Sequence, residues 1–184
     1  LQTPYGPVDQ TAEGVPTCAV VSVPADETRR QILITLWNTY TFFVNYARLD
    51  EFDAAAAPVP VAERPEIDRL VLANLHALVQ TANTEMQDFN VAGFLREAAR
   101  FIDDLSNWYI RRSRPRFWAA KKASAANPVS AADKLSAYQT TFECLAGLVI
   151  MMSPIAPFFA DWLYRRLHEG STHPYPASVH HAEY

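Results

Sequence analysis

Aromatic rings and guanidinium groups are crowded into one short stretch of this chain, residues 103–118. The stretch reads DDLSNWYIRRSRPRFW and contains Trp108, Tyr109, Arg111 and Arg112. In a helix, residues three and four positions apart lie on adjacent parts of one surface. Unstacked bases of single-stranded RNA stack on aromatic rings and guanidinium planes, while their edges form hydrogen bonds. The stretch therefore favours contact with a single-stranded RNA loop.

Charge is segregated in the same part of the chain. The whole sequence has 16 basic and 20 acidic residues and a net charge of -4. Residues 105–132 nevertheless include no Asp or Glu. The basic residues of this window are Arg111, Arg112, Arg114, Arg116, Lys121 and Lys122. Nonspecific affinity for nucleic acid scales with the number of phosphates neutralised, so an acidic protein with one basic patch indicates local docking instead.

Length and composition favour one globular domain. With 184 residues, 49% of them hydrophobic and 20% charged, the chain is long enough to bury a single core. Its two cysteines, Cys18 and Cys144, indicate neither a disulfide framework nor a thiolate metal site, and they favour a reducing, cytoplasmic setting. The longest apolar tract, residues 144–159, is interrupted by Pro154 and Pro157 and is shorter than a membrane helix requires. We therefore predict neither export nor a membrane span.

Hydrophobic periodicity predicts an all-α protein, an antiparallel bundle of about five helices. Residues 1–25 are rich in proline and glycine and are expected to form an irregular leader. Residues 26–170 are expected to form the helical bundle. Residues 171–184 have no helical period and are expected to be a C-terminal extension.

Capping residues and prolines set the expected ends of these helices. Asp26, Asn90 and Ser130 have side chains that cap helix N-termini, and Pro65 suits a first turn. Gly170 is a normal C-terminal stop. Four of the predicted helices cover residues 26–49, 65–87, 130–152 and 158–168, and the third begins at Asn90 and includes Trp108.

Several runs of the sequence resemble the anticodon-binding domain of isoleucyl-tRNA synthetases. The most specific run is DLSNWYIRRSR at residues 104–114, and LWNTYTFF at residues 36–43 precedes it. KLSAYQT at residues 134–140, SPIAPF at residues 153–158 and SVH at residues 178–180 follow in the same order as in that family.

This resemblance covers roughly residues 28–184. For the parent protein it implies attachment of isoleucine to its tRNA with ATP and Mg²⁺. For this chain it implies binding of the anticodon stem-loop of isoleucine tRNA, with the catalytic domain of the same polypeptide as a second partner and no DNA or membrane partner. The chain has neither the His-Ile-Gly-His nor the Lys-Met-Ser-Lys-Ser type of nucleotide-binding signature, so we expect no catalytic residue and no cofactor in it. It begins at Leu1 rather than Met, which suggests a piece of a longer protein.

The residues that contact RNA are expected on the first and third helices. Trp108 and Tyr109 offer stacking faces, and the amides of Asn38 and Asn45 offer donors and an acceptor to base edges. Basic side chains further along hold phosphates, which fixes position without conveying sequence. The full predicted set is Trp37, Asn38, Thr41, Asn45, Trp108, Tyr109, Arg111, Arg112, Arg114, Arg116, Lys121 and Lys122.

Pro115 departs from the family pattern, which usually has another basic residue at this position. The substitution removes one positive charge. Because proline disrupts the interior of a helix, we expect the third helix to end here, which leaves the reach of Arg116 open.

Core packing is the competing role for the aromatic residues. Burial in the core is favoured for Trp37, Tyr40, Phe42 and Phe43, which lie within the clearest apolar period of the first helix. At least one of Trp108 and Tyr109 fits a core position as well as it fits an RNA surface.

Two other functions remain compatible with the residues alone. A helical protein-interaction module would use the basic patch to dock an acidic partner. A small hydrolase would need His173 or His180, but the spacing of these residues and Cys18 matches no metal-ligand pattern, so we expect no metal. Asp103 and Asp104 are adjacent, point about 100° apart on a helix and cannot form a facing acid-base pair.

Overall fold

The structure, a computed structural model, describes residues 2–3, 6–7, 29–119, 129–169, 171 and 174–182. Regular structure in these residues is almost entirely helical, which confirms the all-α prediction. A short π-helical segment, Arg29–Ile34, leads into the first α-helix. The helices are α1 Thr35–Leu49, α2 Glu66–Gln87, α3 Val91–Asp103, α4 Arg111–Trp118, α5 Ala131–Met152 and α6 Pro157–Leu167.

A second π-helical segment, Asp104–Ile110, joins α3 to α4 without a break. The backbone keeps helical dihedral angles at both junctions, so these three stretches form one continuous rod. We call it the third rod. With α1, α2, α5 and α6 it makes the five helical rods expected from the sequence.

Two of the predicted helix caps are present. The Asn90 side chain accepts a hydrogen bond from the backbone N–H of Gly93 at 3.1 Å, and the Ser130 hydroxyl accepts one from the N–H of Asp133 at 3.0 Å. Each side chain satisfies a donor that has no partner inside its helix. The predicted cap Asp26 and the predicted stop Gly170 lie outside the described residues.

The third rod continues through Pro115, so the prediction that this proline ends the helix is wrong. α4 has Pro115 in its interior. The turn that follows is held by tertiary contacts, because Arg116 is bonded to the buried carboxylate of Asp68 and the Phe117 side chain is buried. These contacts offset the hydrogen bond that proline removes.

Successive rods alternate in direction. α1 and α5 run antiparallel, since Lys134 Nζ lies 2.7 Å from Asp50 at the end of α1 while Phe142 contacts Phe43 near its middle. α1 and the third rod consequently run in the same direction and lie side by side, with Phe42 against Phe117. The contact between α1 and the third rod brings together the two segments that were predicted from the sequence to bind RNA.

α5 is the central helix of the bundle. More than half of its residues are buried, among them Leu145, Leu148 and Met151. It is the one helix among the described residues that is long and apolar enough to cross a membrane, but 72% of its most apolar window is buried inside the protein. That burial is typical of a core helix.

The ends of the chain add little regular structure. In the leader, β1 (Gln2–Thr3) and β2 (Gly6–Pro7) form a two-residue antiparallel ladder. Pro7 is tolerated there because it lies on an edge strand. Towards the C-terminus, the Ser178 hydroxyl donates to Asp161 of α6 at 2.6 Å, and this hydrogen bond lowers the pKa of Asp161.

Candidate nucleic-acid interface

A groove runs between α1 and the third rod. We call it the α1–rod groove, and its lining is mainly polar. Its floor is formed by half-buried or buried residues and its rims by exposed ones. The lining residues are Asn38, Thr39, Phe42, Ser106, Asn107, Ile110, Arg111 and Arg114.

The third rod contributes a stripe of polar side chains to this groove. Asn107, Arg111 and Arg114 follow one another at four- and three-residue steps, which places them on one helical face. All three are exposed. The amide of Asn107 donates to Asp103 at 2.6 Å, which leaves its carbonyl oxygen directed away from that contact.

The exposed arginines of the third rod are not neutralised by carboxylates. Within the described part of the chain, Arg111, Arg112 and Arg114 form no ion pair. The arginines that do form ion pairs with carboxylates include Arg64, Arg100, Arg116, Arg165 and Arg166. Unpaired guanidinium groups in a polar groove attract phosphate and stack on bases. The predicted basic surface is therefore present at these three positions.

α1 forms the opposite wall. Asn38 is exposed on the rim, and the hydroxyl of Thr39 is occupied by the Thr35 carbonyl at 2.9 Å. The half-buried ring of Phe42 meets Phe117 edge to face at 5.2 Å and closes the floor. An amide on one wall thus faces arginines on the other.

Trp108 and Arg112 lie on the flank of the third rod beside the groove. Trp108 is half-buried, and the guanidinium carbon of Arg112 lies 6.0 Å from the centre of its ring. That distance is at the limit of a cation–π contact. Part of the Trp108 ring and the Arg112 cation are accessible to solvent beside the groove.

Tyr109 and Arg116 are in the protein interior, around the carboxylate of Asp68. Asp68 and Tyr109 are 0% exposed and Arg116 is 8% exposed. Asp68 accepts hydrogen bonds from Tyr109 at 2.8 Å, from Arg116 at 2.6 and 2.7 Å, and from Ser136. This corrects the prediction for both residues: neither side chain is on the surface, so neither is part of the candidate interface.

Paired charges and hydrogen bonds allow the network around Asp68 to be buried, and burial in turn shifts the pKa of Tyr109. A buried carboxylate is tolerated only with paired charge and hydrogen bonds, and Arg116 supplies both. Arg116 also lies 2.8 Å from Asp133 near the start of α5. Burial, followed by the charge of Asp68, raises the pKa of Tyr109 well above its usual value, so its hydroxyl remains a donor.

Trp37, Thr41 and Asn45 lie on α1 but do not line the groove. Trp37 is 41% exposed on the far flank, where its ring centre is 5.1 Å from that of Trp162 on α6. Thr41 is half-buried and Asn45 is exposed along the ridge of α1. Tyr40, in contrast, is buried, in agreement with the core interpretation.

Lys121 and Lys122 lie outside the described residues, as do Cys18 and His173. Among the residues that the structure describes, no three His, Cys, Asp or Glu side chains form a group that fits a metal ion. Cys144 is buried, and burial raises the pKa of its thiol, which keeps it neutral.

Sequence reasoning missed three residues of this region. Asn107 and Trp118 continue the spacing of Arg111 and Arg114 at i, i+4, i+7 and i+11, a signal that was available in the sequence. Asp68 is a single carboxylate on the apolar face of α2, and such a position indicates a buried partner of opposite charge.

The helical bundle of this chain and its groove, lined by arginines and amides, fit the class of helical nucleic-acid-binding domains. Residues 68–184 match the family model described as the anticodon-binding domain of tRNA ligase. The match covers more than half of the chain, and the chain belongs to this family.

Curated relatives point in the same direction. The chain is 41% identical over 160 residues to an isoleucine–tRNA ligase of Bacteroides thetaiotaomicron, a match that covers 86% of this chain and 13% of that protein. It is 43% identical over 143 residues to the isoleucine–tRNA ligase of Porphyromonas gingivalis, covering 77% of this chain and 12% of the relative. A third, from Deinococcus radiodurans, is 43% identical over 154 residues, covering 82% and 13%. The chain therefore spans about an eighth of the length of the relatives it matches, and the protein-interaction alternative is not favoured.

Proposed function

We propose that this chain binds the anticodon loop of isoleucine tRNA as part of an isoleucine–tRNA ligase. The observation that carries the proposal is the α1–rod groove, where the exposed amides of Asn38 and Asn107 flank the unpaired arginines Arg111 and Arg114. Amides read base edges because they offer both donors and an acceptor, and guanidinium groups hold phosphates. The membership of the chain in the anticodon-binding family supports this use of the groove.

Each part of the surface has a role in this proposal. Arg111 and Arg114 bind backbone phosphates along the groove, while Trp108 and Arg112 offer a ring and a cation to a base beside it. Thr41 and Asn45 lie on α1 next to the groove and contact nucleotides that extend out of it. Trp37, further around α1, is the most distant residue of this contact. Lys121 and Lys122, which follow the third rod in the sequence, are proposed as further phosphate contacts.

The parent protein, on this proposal, attaches isoleucine to its tRNA in the cytoplasm with ATP and Mg²⁺. The chemistry belongs to a catalytic domain of the same polypeptide, because the nucleotide-binding signatures are absent from these 184 residues. Tethering to that domain raises the effective concentration of the anticodon at the groove. The 184-residue chain alone should consequently bind the stem-loop more weakly than the parent binds whole tRNA.

Changing Arg111 and Arg114 together to Ala tests the phosphate contacts. Binding of an anticodon stem-loop of isoleucine tRNA is expected to weaken at least about tenfold, since a hydrogen bond to a charged group is worth roughly 1.5–3 kcal/mol. The slope of log K against log salt should become shallower by roughly 1.4–1.8, because each of the two phosphate contacts contributes about 0.7–0.9. Fluorescence polarisation with a labelled stem-loop over a salt series measures both quantities.

The matched control is the double variant Arg69→Ala and Arg96→Ala. These arginines are also exposed and their loss changes the net charge equally, but neither lines the groove. The control should retain most of the affinity and the salt slope. Equal losses in both double variants would mean that net charge, and not the groove, attracts the RNA.

A further inference from the structure

Trp118 ends the polar stripe of the third rod. It follows Arg114 by one helical turn, and its side chain is 60% exposed, which is unusual for an indole. Its ring N–H donates a hydrogen bond to the hydroxyl of Tyr46 on α1 at 2.7 Å. This bond crosses from one wall of the α1–rod groove to the other.

The hydrogen bond fixes the direction of an exposed aromatic ring. Tyr46 is itself held in an aromatic layer, with ring centres 4.8 Å from Phe42 and 6.3 Å from Phe117. Phe117 is buried in the core. An exposed ring normally samples several rotamers. Here the hydrogen bond to Tyr46 holds one rotamer against the aromatic layer, which lowers the entropy cost of ordering the ring when a base stacks on it.

We propose that Trp118 is a stacking platform for one base of the bound RNA loop and that Tyr46 is its positioning residue. This inference rests on the proposed function, because it assigns a new contact within the same groove. The base reaches Trp118 after its flanking phosphates are held by Arg111 and Arg114 on the same face of the rod. Stacking on a pre-oriented ring is tolerant of sequence, so Trp118 contributes affinity while the amides distinguish bases.

The second exposed aromatic surface, on α6, lacks this combination. The Trp162 ring lies 5.1 Å from the Trp37 ring at an angle of 33°, and the nearby arginines Arg165 and Arg166 form ion pairs with Asp161 and Glu169. The cations of this surface are neutralised by carboxylates, and its two indole rings contact each other. Phe158, 91% exposed on the same helix, therefore supplies a control ring outside the groove.

A thermodynamic cycle tests the stacking directly. Affinities of the 184-residue chain and of Trp118→Ala are measured for the anticodon stem-loop and for a series of stem-loops, each with one abasic loop nucleotide. Trp118→Ala should weaken binding of the intact loop roughly 5- to 100-fold, the range for one stacked base. At one loop position the abasic RNA should abolish this difference, because the ring then has no base to stack on.

Trp118→Phe and Phe158→Ala complete the set. Trp118→Phe retains a ring but loses the hydrogen bond to Tyr46, so its affinity should lie near that of Tyr46→Phe. Phe158→Ala should bind like the unaltered chain. Losses that are purely additive at every loop position, or an equal loss in Phe158→Ala, would overturn the stacking role. If Trp118→Ala binds normally while the Arg111 and Arg114 variant does not, this inference fails and the proposed function stands.

Tyr46→Phe separates positioning from contact. It removes the acceptor of the indole N–H and keeps the aromatic layer, so affinity should fall a few-fold and the coupling at the same loop nucleotide should shrink. Fluorescence anisotropy of the tryptophans in the free chain should fall as Trp118 gains freedom, a change that Phe158→Ala does not produce. Unchanged coupling in Tyr46→Phe would remove the positioning role.

Discussion

Asp68 shows how one residue arranges the surface without touching it. Its carboxylate has no exposed area and joins three elements: α2, which carries it, the third rod through Tyr109 and Arg116, and α5 through Ser136. Breaking a buried ion pair leaves an uncompensated charge in a medium that solvates it poorly. The angle at which the third rod presents its exposed arginines therefore depends on this carboxylate.

Asp68→Ala is expected to lower the free energy of unfolding by about 3–5 kcal/mol, because the buried Arg116 would lose its fully buried partner and keep only the partly exposed carboxylate of Asp133. Urea denaturation followed by circular dichroism measures the change. The control is Glu97→Ala, which breaks an exposed pair with Arg100 and should cost less than about 1 kcal/mol. A similar small effect in both variants would show that Asp68 does not organise the rod.

Single residues were the hardest part to predict from sequence. Trp108 and Tyr109 are neighbours of similar type, yet one is half-buried beside Arg112 and the other is completely enclosed. Their difference is set by helical phase relative to α2 and by the position of Asp68, neither of which is encoded locally. Arg116 looked like another surface cation for the same reason.

Two helix starts, by contrast, follow from local chemistry and were predicted from the sequence. Asn90 and Ser130 cap the helices that the sequence assigned to them, since a capping side chain needs only donors two or three residues away. Pro115 was misjudged because its effect is decided by contacts outside its own turn. The helix-breaking effect of proline is judged from neighbouring residues alone. Arg116 and Phe117 instead stabilise the following turn through contacts with residues that are far away in the sequence.

Ser130→Ala tests the cap of the central helix. Loss of the hydrogen bond from Asp133 should lower the free energy of unfolding by about 1 kcal/mol. Ser153→Ala, at the other end of α5, is the matched control, because no side-chain hydrogen bond of Ser153 is present among the described residues, and it should be nearly neutral. Thermal unfolding of both variants gives the comparison. If Ser130→Ala is as neutral as the control, α5 is held by packing alone.

On the scale of the whole molecule, function depends on alternation of the rods. In an up-and-down arrangement the first and third rods run in the same direction, so residues 38–46 and 107–118 meet in order along one groove. The sequence nominated both segments but not their register, which is fixed by tertiary contacts such as Phe42 with Phe117. The resulting surface concentrates free arginines in a protein whose net charge is -4.

The most direct measurement of the central claim compares two RNAs at one salt concentration. One is the anticodon stem-loop of isoleucine tRNA, and the other has the same stem and loop length with the three anticodon bases exchanged. Anticodon recognition by the groove predicts that the 184-residue chain binds the second RNA at least about fivefold more weakly, because an amide that is buried in the complex without a partner costs roughly 1–3 kcal/mol. Equal affinity for both RNAs would contradict anticodon recognition by this groove.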